Sequence, residues 1–240
     1  MHHSIDIDDL HYSYPDGHSA LRGVAMHIQP GEKVALLGPN GAGKSTLILH
    51  LNGILACQRG SVTVCHINLT KPARNDLAKV RAMVGLVFQN PDDQLFSPTV
   101  FDDVAFGPIY QGLAAPVVKE RVQQALADVH MDSFSDRVSH HLSVGQKKRI
   151  AIATVLSMQP EVLVLDEPTA GLDPRGRREL INLLRELPQT MLVSTHDLHM
   201  AQELFVRTVV MDDGLIVADG DTRQLLADDA FLNAHGLERP

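Results

Sequence analysis

The chain has 240 residues, 44% hydrophobic and only 4% aromatic, with a formal net charge of −8. This length allows one sizeable domain filled by Leu, Val, Ile and Ala, and the acidic balance excludes the basic footprint of a nucleic-acid binder. Cys57 and Cys65 set no disulfide framework, as in a reduced, cytosolic chain; no apolar run reaches the roughly 18 residues of a membrane helix, and MHHSIDIDD lacks the order of a signal peptide.

Four short apolar runs, KVALLG (33–38), VGLVFQ (84–89), VLVLDE (162–167) and MLVSTH (191–196), alternate with longer helical patterns. Such alternation predicts an α/β architecture with a mainly parallel sheet. Each run is apolar throughout rather than at every second residue, as expected of strands covered on both faces. Each also ends in glycine or polar residues, and ligands of open α/β sheets collect at the carboxyl ends of strands. The pattern therefore aims a glycine-rich loop, Gln89, Asp166 with Glu167, and His196 at one crevice.

The loop is GPNGAGKST, Gly38-Pro39-Asn40-Gly41-Ala42-Gly43-Lys44-Ser45-Thr46, between a strand and a helix. This is the setting of a phosphate loop. Gly41 and Gly43 let backbone amides curl round phosphates, and the following helix adds its positive end. Lys44 is placed to reach the outer phosphates, and the Ser45 hydroxyl to ligate Mg²⁺. Asp166, ending a buried strand, suits holding Mg²⁺ through water, while Glu167 beside it can polarise water in line with a γ-phosphate. These residues predict nucleotide hydrolysis, not binding alone.

Between Gln89 and Pro160 the character changes, with helical spacing over residues 113–129 and 144–158. The predicted organisation is a single domain, 1–240. Its α/β core comes from residues 1–88 and 160–240, and an inserted helical subdomain from 89–159. VVMDDGLIVADG (209–220) predicts a hairpin about Asp213-Gly214, and a short helix follows from about Thr222. His2 and His3, like His140 and His141, lack the spacing and supporting ligands of a structured metal site. Lys147, Lys148 and Arg149 read as a solvated helix turn or local salt bridges.

The order of the pieces is more specific than any one of them. Gln89 ends a strand, LSVGQ (142–146) precedes VLVLDE, AGLD (170–173) follows it, and STHD (194–197) comes last. This set resembles the nucleotide-binding subunits of ABC transporters over nearly the whole chain. The resemblance implies the ABC form of the P-loop NTPase fold, with an N-terminal antiparallel β subdomain, and ATP with Mg²⁺ as ligands. It implies that Gln89 approaches Mg²⁺ and water and faces a membrane partner, that His196 contacts the γ-phosphate, and that Asp173 crosses a dimer interface. Asp173 before Pro174 is also a good helix N-cap, and the two roles are compatible. Tyr14 takes the position that stacks on adenine; Tyr12, on the same face of an alternating strand, is the other candidate, and either tyrosine can instead pack in the core.

Ser143, Gly145 and Gln146 take the places of a helix start that binds the ATP held by the other subunit. One chain then carries two half-sites that cannot face each other, so the expected assembly is a homodimer sandwiching two ATP molecules. Val144 departs from the family's usual LSGGQ, at a first-turn position that Val adopts for about 0.5 kcal/mol of helix propensity. FQNPDDQLFSPTVFDDVAFGP (88–108) resembles the ATPases of energy-coupling-factor importers, including the cobalt/nickel group. That implies a transmembrane coupling protein and substrate-binding membrane subunits as partners, no nucleic acid, and a peripheral location on the cytoplasmic face of the cell membrane. Cobalt or nickel is the first expectation for cargo and a vitamin the second; the compact C-terminus fits the metal branch. Asp92, Asp93 and Gln94 are placed either to meet a coupling helix or to form a solvated acidic loop. A ribosome- or DNA-acting relative would bring tandem domains, coiled-coil arms or a basic face, and a phosphate-loop kinase would leave LSVGQ and STHD unexplained.

Overall fold

The computed structural model describes residues 4–237, so His2 and His3 lie outside the described residues. The chain opens with β1 (Ile5–Ser13) and β2 (Ser19–Ile28), then β3 (Lys33–Leu37), α1 (Lys44–Leu51), β4 (Arg59–Val64), β5 (Ile67–Asn68), α2 (Arg74–Met83) and β6 (Val84–Val87). Three helices follow, α3 (Val100–Tyr110), α4 (Ala115–Asp128) and α5 (Val144–Leu156). The rest is β7 (Val162–Asp166), α6 (Pro174–Glu186), β8 (Thr190–Ser194), α7 (Leu198–Leu204), β9 (Arg207–Asp212), β10 (Leu215–Asp221), α8 (Thr222–Leu226) and α9 (Asp229–Ala234).

The strands form two sheets. β2-β1-β4-β5 is antiparallel, and β10-β9-β3-β8-β7-β6 is parallel from β9 to β6 with β10 antiparallel at its edge. The central strands are apolar throughout because consecutive residues serve different cores. Ala35, Leu37, Leu163, Leu165 and Val193 face the layer of α3–α7. Val34, Leu36, Val162, Val164 and Leu192 face α1 and the antiparallel sheet. Side chains alternate across a strand, so a covered strand has no face on which a polar residue is cheap.

The predicted hairpin is present, with Asp213 and Gly214 both at positive φ (46° and 75°) as its two-residue turn requires. Its first strand does more than pair locally: β9 joins β3 in parallel and extends the central sheet. The helix at Thr222 is α8. Spacing alone does not single out α3, because Gly107 and Pro108 interrupt its last turn. The capping signal was nonetheless there: Thr99 accepts from the Asp102 amide at 3.2 Å.

Candidate functional site

β3 ends at Leu37 and α1 starts at Lys44, so residues 38–43 wrap the end of a central strand. Gly38 has φ 151°, and a Cβ there would stand 2.1 Å from the Met211 carbonyl oxygen. Gly43 has φ 99°, and its Cβ would meet the Ala20 carbonyl oxygen at 2.5 Å. Glycine is required at both, and the two seat the loop between β9 and β2. Lys44 Nζ donates to the carbonyl oxygens of Gly38 (2.7 Å) and Pro39 (3.0 Å). Burial pushes its ammonium below the ordinary lysine range, and the carboxylates of Glu167 and Asp166 pull it back up.

The loop borders a cavity of about 370 Å³. Asn40, Gly41, Ala42, Gly43, Lys44, Ser45 and Thr46 line it, together with Gln89, Asp166, Glu167 and His196. Tyr14 lines it too, its hydroxyl 3.0 Å from Thr46 Oγ1. Tyr12 instead packs edge-on against Tyr14 and His50, with ring centroids 5.1 and 4.9 Å apart. His18 and Ala20 also line the cavity and were not foreseen. The available signal was Asp16-Gly17, a turn that brings the His18 carbonyl back to the Tyr14 amide at 2.8 Å.

At the ends of β7 and β8, Ser194 Oγ hydrogen-bonds the Asp166 carboxylate. Glu167 is buried, and His196 Nδ1 lies 2.9 Å from its Oε2 while the His196 amide donates to the same oxygen at 3.3 Å. Glu167 occupies the left-handed region at φ 45°. Its amide donates to Ser194 O at 3.0 Å, and its carbonyl accepts from the Ala170 amide (3.2 Å) and Lys148 Nζ (3.1 Å). A hydroxyl (Ser45), a carboxylate (Asp166) and an amide oxygen (Gln89) thus border one cavity, and this hard-oxygen donor set fits Mg²⁺.

Lys148 corrects the sequence reading of a solvated turn. It is only 4% exposed, donates to Gln89 O as well as Glu167 O at 3.1 Å, and is pushed by burial to about 8 against the pull of Glu167 and Asp166. Its neighbours do form local salt bridges, Lys147 with Asp92 at 2.7 Å and Arg149 with Glu179 at 3.7 Å. Gln94 is a second correction. Its amide nitrogen donates inward to Ala151 O (2.9 Å) and Thr154 Oγ1 (2.8 Å), and its oxygen accepts from the Phe88 amide (3.2 Å), so it is not free to meet a partner.

Ser143, Gly145, Gln146 and Asp173 line a different cavity, of about 310 Å³, together with Val144 and the start of α6. Ser143 caps α5: its Oγ accepts from the Gln146 amide at 3.3 Å, and Gln146 Oε1 accepts from the Ser143 amide at 2.9 Å. Asp173 caps α6 through the Gly176 amide at 2.6 Å. Val144 opens α5 with its side chain exposed. The chain therefore does not bring these residues to the phosphate loop.

Asp197, beside His196, caps α7 and receives Arg177 Nε at 2.6 Å and Nη2 at 3.1 Å. Burial alone would raise its carboxyl, but the Arg177 fork and the Met200 amide outweigh that and hold it below the ordinary value of 3.8. A depressed folded pKa stabilises above the unfolded pKa and loses that contribution as pH falls through the folded one. Asp197→Asn is expected to cost about 1–2 kcal/mol at neutral pH in urea unfolding. The gap between the two proteins should begin to narrow near pH 4 and close only below the depressed folded pKa. A gap that stays constant with pH would rule out the ion pair as its source.

A phosphate-holding loop, an oxygen-donor set and a buried carboxylate at the carboxyl ends of parallel strands define a phosphate-loop nucleotide hydrolase. The ABC transporter family profile matches residues 21–170. Energy-coupling factor transporter ATP-binding protein EcfA of Methanocaldococcus jannaschii is 48% identical over 242 residues, covering 98% of this chain and 85% of that protein. The solved structure of cbiO1 from Clostridium perfringens, part of the ABC transporter complex cbiONQ, superposes with a TM-score of 0.86 at 39% identity, over 98% of this chain and 94% of that one. A dimeric, post-hydrolysis ATP-binding cassette, MJ0796 bound to ADP and Pi, superposes with a TM-score of 0.81 at 26% identity, over 91% and 99%. The chain belongs to the ABC transporter family, as an ATP-hydrolysing subunit of the energy-coupling-factor type.

Proposed function

We propose that this subunit powers the uptake of cobalt or nickel ions, working as a homodimer on the cytoplasmic face of the membrane. The observation that carries the catalytic part is the convergence of Lys44, Ser45, Gln89, Asp166, Glu167 and His196 on one cavity. In this reading Lys44 exchanges its loop carbonyls for the outer phosphates, and Ser45, Asp166 and Gln89 would hold Mg²⁺, which when bound would neutralise charge on the phosphate oxygens. Glu167 orients and polarises the attacking water while His196, bonded to it, contacts the γ-phosphate. Water oxygen bonds to the γ-phosphorus, the bond to the bridging oxygen breaks, and ADP and phosphate leave.

Ser143, Gly145 and Gln146 of a second copy cover the γ-phosphate, with Asp173 crossing the interface. Closure moves the helical unit, residues 89–159, against the core. That unit offers a docking surface for a coupling helix of the transmembrane partner: Phe96 and Phe106 stack edge to face at 5.3 Å, and Ile109 and Tyr110 are 62% and 78% exposed. Asp93, exposed at the start of the same unit, is the remaining candidate for contact with that helix. Among the described residues no helix is long and apolar enough to cross a membrane.

Tyr14 stacks on the adenine in this scheme. Tyr14→Ala is expected to raise the KM for ATP roughly 3- to 10-fold, the worth of an aromatic stacking contact, with Tyr14→Phe close to wild type. An unchanged KM in Tyr14→Ala would move adenine elsewhere. The cargo reading rests on the likeness to cbiO1 and on residues 88–108. Its test is co-expression with the native membrane partners and uptake of labelled Co²⁺, Ni²⁺ and vitamins. Accumulation of a vitamin without either metal would overturn it.

A further inference from the structure

We propose that Lys148 is a positioning residue that ties the start of α5 to both Glu167 and Gln89. The inference rests on the hydrolytic reading above and adds a residue to it. Gln89 follows β6 and Glu167 follows β7, and these two strands are neighbours in the sheet. Lys148 stands over their ends with one ammonium, donating 3.1 Å bonds to both carbonyl oxygens. One residue earlier, Lys147 holds Asp92 at 2.7 Å, so two consecutive side chains fasten α5 to residues 89–92.

The burial of Lys148 is hard to account for as packing. A buried ammonium is costly, and an apolar side chain of its volume would fill the same space without that cost. What an apolar side chain cannot do is hold two carbonyl groups in fixed places. One of them belongs to Glu167, a non-glycine residue at φ 45°, a conformation that persists only where neighbours enforce it. The Ala170 amide also reaches that carbonyl, at 3.2 Å, but only Lys148 ties it to α5, so losing the ammonium loosens the peptide that aims the carboxylate at His196 and the cavity. The other belongs to Gln89, whose side chain lines the same cavity. Ser143, Gly145 and Gln146 lie on the turn just before Lys148. A displacement of that turn by a second copy is therefore delivered through one side chain to both Gln89 and Glu167.

The test compares wild type with Lys148→Met, which keeps length and loses the charge, and Lys148→Arg, which keeps the charge. ATPase kinetics and melting temperature are measured for each. Lys148→Met is expected to lower kcat roughly 10- to 100-fold, the effect of misplacing a catalytic group by about an ångström. KM for ATP should stay within about twofold, the melting temperature should be near wild type, and Lys148→Arg should recover part of kcat. Wild-type kcat in Lys148→Met overturns the proposal. So does a loss of kcat that tracks a lowered melting temperature and is not relieved by Lys148→Arg, since Lys148 is then only a strut. Glu167→Gln run alongside separates the two levels: if it turns over normally the hydrolytic reading itself fails, and if it is inactive while Lys148→Met is not, only the role of Lys148 fails.

Discussion

Glu167→Gln is expected to lower ATP turnover on the order of 10²- to 10³-fold, the usual worth of a general base, while leaving ATP binding intact. Glutamine keeps the shape of the buried side chain and can still hydrogen-bond His196, which lies 2.9 Å from the carboxylate. It cannot take the developing proton of the attacking water. The phosphate loop, Lys44 and Ser45 are untouched, so nucleotide binds and the γ-phosphate persists. If that phosphate bridges two copies, the variant accumulates as a closed dimer. Light scattering with and without ATP reads the dimer, and phosphate release reads the chemistry. Brisk turnover in this variant would remove Glu167 from its role; a monomer at saturating ATP would leave the chemistry in place but remove the sandwich.

Gly145→Ala is the second large effect, and its diagnostic feature is that stability and activity move in opposite directions. Gly145 lies in the first turn of α5 without a positive φ, and a Cβ there would meet only Leu172 Cδ2, at 3.6 Å, an ordinary contact. Nothing in the described chain demands glycine at this position. Alanine is the better helix former and leaves the unfolded chain less entropy, so the fold should gain about 0.5 kcal/mol. A glycine its own fold does not need points outward, to something that approaches the backbone closely. In the proposed dimer that is the γ-phosphate on the facing copy, and a methyl group there is expected to lower kcat/KM roughly 10- to 100-fold. Wild-type turnover in a stable Gly145→Ala would take this face out of the site. Unfolding would show that the glycine serves the chain's own packing.

The parts that were legible in the sequence are those fixed by local covalent order or by burial on both faces. KVALLG, VGLVFQ, VLVLDE and MLVSTH became β3, β6, β7 and β8 because strands covered on both sides carry an unbroken apolar signal. GPNGAGKST was legible from its residue order between an apolar run and a helical pattern, although the crowding that requires Gly38 and Gly43 comes from Met211 and Ala20. Less legible was anything decided by distant neighbours. That β9 lies beside β3 depends on pairing between residues 34–37 and 207–210. Lys148 is held by carbonyls 59 and 19 residues away in sequence, and a run of three basic residues gives no hint that its middle member turns inward. Gln94, within an acidic surface loop, is likewise drawn in by Ala151 and Thr154.

The separation of the two cavities has a consequence for when ATP is consumed. Lys44 and Glu167 border one and Ser143 the other, so in the proposed dimer a solitary chain lacks the residues that would cover its own γ-phosphate. At concentrations well below the dimer Kd, turnover then grows as the square of the amount of chain, and copies adrift are nearly idle. Two copies anchored on one membrane partner meet at an effective concentration of about millimolar. In that proposed arrangement, splitting the site across copies confines hydrolysis to the place where cargo can move.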